Sequence, residues 1–176
     1  MNTHMGRIGF AMVLGGSLSF GCQAAQPVQS PADHAGAVER TVCTADFSEA
    51  VVSRILDGSA VEHVEPVYTG FVGKSSNPRL AGAAIIVRPV QGETAEWLTR
   101  MLECHGAQRL MEQAKGSPVR ADPFWLADSL VQIEVTGARN GFRIQVTSGS
   151  ATDAREILSR AQALPTSTQT AVFDAR

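Results

Sequence analysis

Soft and titratable side chains crowd one short stretch of this chain. Met101, Cys104, His105 and Met111 fall within a single candidate helix, and Cys43 supplies a further thiol. Thioether, thiolate and imidazole together suit a soft cation such as Cu(I), which makes Met101, Cys104 and His105 candidate metal ligands. The competing reading is that Met and Cys line the core stripe of an amphipathic helix. Cys104 and His105 are sequence neighbours, and neighbouring helical residues point about 100° apart. They therefore make no nucleophile–base pair with each other. Leu102-Glu103 stand where a haem-attachment CxxCH would need its first cysteine. HExxH, P-loop and dinucleotide glycine patterns are absent, and no GxSxG falls within the expected domain. No constellation supports catalysis, so a non-enzymatic protein without a cofactor is expected.

The elements that would hold these residues follow from periodicity. Of the 176 residues, 44% are hydrophobic, enough for a folded core. The net charge of −2 gives no electrostatic footprint for nucleic acid. Phe47, Val51, Val52, Ile55 and Leu56 predict a helix over about 46–57, capped by Asp46 and closed by Gly58. A strand is expected over 60–68. The apolar run Leu80–Val90 suits a central strand. Thr94 caps a helix over 95–114. On it, Trp97, Met101 and Cys104 share one face, expected to press on the sheet, with His105 at the edge of that interface.

Val131, Ile133 and Val135 alternate with polar residues, as do Phe142, Ile144 and Val146. With Asn140-Gly141 between them they predict a hairpin whose polar face meets water. A last helix from about Thr152 puts Ala154, Ile157, Leu158, Ala161 and Leu164 on one side. The expectation is an α+β fold in α-ββα-ββα order, a four-stranded antiparallel sheet from two hairpins with helices packed on it. Ile86-Val87 followed by Glu96-Trp97-Leu98-Thr99-Arg100 is echoed by Gln145-Val146 and Glu156-Ile157-Leu158-Ser159-Arg160. That is either a weak internal repeat or a chance likeness of two amphipathic helices.

The N-terminus carries an address. Arg7 precedes an apolar run, Ile8–Phe20, too short to span a bilayer. It ends on Ser19-Phe20-Gly21-Cys22, which resembles the lipobox of bacterial lipoproteins, with Cys22 as the lipidated residue. Ordinary signal-peptidase cleavage close to Cys22 is the alternative. Gln23, rather than Asp, resembles the outer-membrane sorting pattern. The expected organisation is a signal peptide over 1–21, a lipid-anchored flexible tether over 22–42, a globular domain over 43–164 and a tail over 165–176.

Either fate of Cys22 leaves two cysteines, Cys43 and Cys104, in an exported chain. An even count in an oxidising compartment suggests a disulfide. Two free thiols packed as small hydrophobes are the alternative.

Thr94-Ala95-Glu96-Trp97-Leu98-Thr99-Arg100 with Cys104-His105-Gly106-Ala107 resembles a motif in a family of uncharacterised bacterial lipoproteins. The likeness extends over about 43–164. Relatives often carry a further cysteine near the position of Phe124-Trp125, a departure that bears on the pairing of Cys43 with Cys104. The resemblance implies export and a small α+β domain. The expectation is thus an exported, palmitoylated envelope lipoprotein at the outer membrane facing the periplasm. It would have a non-catalytic structural or interaction role, contacting the membrane through its lipid and an envelope protein as partner. The alternative is a periplasmic metal- or small-ligand-binding lipoprotein.

Overall fold

The computed structural model describes residues 30–43, 47–70, 77–89, 92–117 and 119–166. The expected signal peptide, Cys22 and residues 167–176 of the expected tail lie outside them. The elements are α1 (Pro31–Thr41), α2 (Glu49–Leu56), β1 (Val61–Thr69), β2 (Arg79–Val87), α3 (Ala95–Ala114), β3 (Gln132–Ala138), β4 (Gly141–Thr147) and α4 (Ala151–Gln162). The strands form one antiparallel sheet in the order β1-β2-β4-β3. This is the expected α+β architecture with one additional helix at its start. No described helix is long and apolar enough to cross a membrane.

The sheet is built around its two central strands. β2 is almost continuously apolar and pairs on both sides, as a central strand should. Ile85 lies opposite Ile144 in the β2–β4 ladder. The offset that carries Ile86-Val87 onto Gln145-Val146 also carries Ile85 onto Ile144. An approximate two-fold axis between these two residues therefore relates the two hairpins. Val64 and Val135, the hairpin partners of Ile85 and Ile144, are equivalent under it.

Three helices cover one face. Val52 and Ile55 of α2, Leu98 and Leu102 of α3, and Ile157 and Ala161 of α4 share a core with Ile85, Val87, Ile144 and Val146. The helices cross over between units: α3 packs on β3, and α4 packs on β2. The opposite sheet face carries Glu65, Glu134, Arg143 and Gln145, with Arg143 reaching diagonally over β2 to Glu65.

Several local expectations shift. The tether expected over 22–42 is helical over Pro31–Thr41. Ser30 is its cap: the Ser30 hydroxyl accepts the Asp33 N–H at 3.1 Å and donates to the Asp33 carboxylate at 2.7 Å. Asp46, the expected cap of α2, lies outside the described residues. Ser48 holds that position without a side-chain hydrogen bond. The β3–β4 turn falls one residue early, on Arg139-Asn140, because Ala138 pairs with Gly141. Gly141 is still required, since a Cβ there would collide with the Val87 carbonyl.

The face of α3 is also corrected. Leu98 and Leu102 meet the sheet core, whereas Met101 and Cys104 are buried outside that cluster. α1 lies against α3, so α3 is covered on two sides. Trp97, expected at the centre of the interface, is half-buried at its margin.

Candidate functional site

Three consecutive residues of α3 join it to the end of α1 and to the loop before β3. Cys104 sits with Cys43, just beyond α1, at sulfur bonding distance and a Cα separation of 5.2 Å. His105 Nε2 meets the Asp122 carboxylate at 3.0 Å, with both side chains almost wholly buried. This corrects the expected edge position of His105. Gly106 lets the backbone of Phe124 approach, for a Cβ there would stand 2.7 Å from the Phe124 carbonyl oxygen.

Asp122 organises the loop between α3 and β3. Its second carboxylate oxygen accepts the Phe124 N–H at 2.9 Å, a turn that Asp before Pro favours. The loop then buries Phe124 against the edge of the His105 ring, centroids 6.3 Å apart. Arg160 of α4 donates to the carbonyls of Asp122 and Trp125 and lies over the Trp125 ring. The His105–Asp122 pair thereby ties this loop to α3, and Arg160 ties it to α4. Sequence reasoning missed Asp122, although Asp122-Pro123 was the available turn signal.

A concavity lies elsewhere. α1, α3, Phe124 and the start of β3 enclose a groove of about 460 Å³. α1 contributes His34, Ala35, Val38 and Val42. α3 contributes Glu103, Gly106, Ala107 and Leu110, and the far wall runs from Leu130 to Ile133. Only His34, Glu103 and Gln132 break this apolar lining. Partial burial raises the Glu103 carboxyl above its ordinary range, while the charge of the nearby His34 acts in the opposite sense. No ion pair of Glu103 is formed among the described residues. β3 is an edge strand, so the far wall of the groove belongs to the rim of the sheet.

Comparison with protein-family models, with curated proteins and with solved structures finds no match to this chain.

The candidate ligands of a soft metal are engaged otherwise. Cys43 and Cys104 face each other, and His105 is bonded to Asp122. Met101 is buried in the same helix. Among the described residues no group of three or more His, Cys, Asp or Glu side chains is gathered for a metal ion. His63 is exposed on β1, 4.0 Å from Glu65. Neither His34 nor Glu103 stood out in the sequence. The signal available was the apolar spacing Ala35, Val38, Val42, which marks the side of α1 that walls the groove.

Proposed function

We propose that this chain is an exported envelope lipoprotein, anchored through Cys22, whose domain serves a non-catalytic interaction role. The observation that carries this reading is the Cys43–Cys104 pair. Disulfides persist in oxidising compartments and are rare in the cytosol. A loop of this length, 61 residues, adds about 4 kcal/mol of stability in the chain-entropy model. The Gly21-Cys22 ending of the apolar N-terminal run supports the same reading. The outer membrane, facing the periplasm, is the proposed location.

Fractionation of cells expressing the full chain tests it. The protein is expected in the membrane fraction, carrying labelled palmitate that Cys22→Ala abolishes. It should show no free thiols from Cys43 and Cys104 until reductant is added. A soluble, unacylated product beginning near Ala24, or two freely titrating thiols, overturns it.

The groove between α1, α3 and β3 favours a second reading, that of a small-ligand-binding lipoprotein. Its volume falls within the roughly 300–1,000 Å³ typical of small-molecule sites, and its lining is mostly apolar with a few polar groups, as in such sites.

A further inference from the structure

We infer that the groove between α1, α3 and the start of β3 binds an amphiphilic amine, its hydrocarbon body along the apolar walls and its ammonium group on Glu103. The inference rests on the small-ligand reading and specifies the ligand's chemistry. Three observations combine. The groove holds about 460 Å³, ample for a hydrocarbon chain of medium length. Its walls are hydrocarbon on every side: Val38 from α1, Ala107 and Leu110 from α3, Phe124 from the loop and Ile133 from β3. One carboxylate, Glu103, stands in this lining without an ion-pair partner among the described residues.

A carboxylate in such a place loses more to burial than the nearby His34 returns, which is why its proton is held more tightly than usual. A ligand that brings its own cation reverses that loss. An ammonium group donates charge-assisted hydrogen bonds to the carboxylate, and the chain behind it removes apolar surface from water. A fatty acid of the same length would set like charge against Glu103. An alcohol would gain the hydrocarbon contact without the ion pair. Head-group discrimination is therefore the signature of this site. The His34 imidazole, the other titratable group lining the groove, opposes an incoming cation only when protonated.

Titration calorimetry on the purified full chain at pH 8, with n-octylamine, n-octanol and n-octanoate as probes, tests the inference. Saturable binding of octylamine is expected, about tenfold or more tighter than octanol, with octanoate weakest. Glu103→Gln should reduce octylamine to the octanol level and leave octanol unchanged. Val38→Phe, which fills the groove from α1, should weaken octylamine and octanol alike. Glu134→Gln, on the open sheet face, should change neither. Equal binding of amine and alcohol, or amine binding indifferent to Glu103→Gln, overturns the amine assignment and leaves the small-ligand reading standing. If no probe binds, both fall, while membrane fractionation still decides the envelope reading separately.

Discussion

His105 and Asp122 meet at 3.0 Å in the interior and tie α3 to the loop that leads into β3. The bond sits one residue from the Cys104 bridge and one from the Gly106 contact. A single turn of helix thus fixes α1 and the Phe124 loop.

Removal of His105 should leave the Asp122 carboxylate buried with only the Phe124 N–H for compensation. His105→Ala is expected to cost about 1–3 kcal/mol, as leaving a buried polar group without its hydrogen-bond partner does. Asp122→Ala, which strips the partner from both the His105 ring and the Phe124 N–H, should cost more. Urea midpoints of the two variants decide the order. Equal midpoints to the parent protein would mean that this bond does not hold the loop.

Gly106→Val should destabilise by about 1–3 kcal/mol through overpacking against the Phe124 carbonyl. The same substitution at Gly137, where nothing lies within 4 Å of the added carbon, should be far milder. Thermal midpoints of the pair separate a steric cause from a general intolerance of glycine replacement.

Leu102→Ala should cost about 2–5 kcal/mol, because Leu102 is wholly buried at the meeting of α3 with the sheet. Trp97→Ala, although it removes more atoms, should cost less, since Trp97 is only half-buried. A greater loss at Trp97 would restore the face of α3 that periodicity alone indicates.

The pH dependence of stability should carry the mark of Glu103. Its carboxyl is raised above the usual 4.5 in the folded chain, first by burial. The folded state then binds this proton more tightly than the unfolded chain. The stabilisation is fully present below the usual value and is lost as pH rises through the folded one. Glu103→Gln cannot ionise, so its urea midpoint should exceed that of the parent at pH 7 and match it near pH 3.5. Parallel midpoints at both pH values would show that Glu103 is not desolvated.

What periodicity could reach was the sheet and its helices. Thr94 as a cap, the bounds of α3, the alternation of Val135 and Ile144, and the stripe of Ala154, Ile157 and Ala161 are local signals, and the fold keeps them. The position of α1 was harder. Ser30-Pro31 and Asp33 formed a sound helix start, but the Ala-, Gln- and Pro-rich composition around them argued for a tether. The face of α3 differs from the periodicity for another reason. A helix covered by both a sheet and another helix is apolar on two sides, so no single stripe marks its core. Glu103 acquires its setting only when α1 and β3 close around it, and that closure is tertiary.

The crossing of the helices between the two ββα units has a consequence for how the chain folds. Each hairpin is roofed largely by the helix that belongs to the other. A fragment ending after α3 would contain β1 and β2 but lack α4, their cover, and the remaining fragment would lack α3. Neither half hides its apolar face alone, so the two should gain structure together rather than in succession. Folding has to bring the strands of Ile85 and Ile144 side by side, a distant pairing in sequence, and such pairings slow the search. Two separately synthesised halves, each unstructured alone, should then reassemble on mixing.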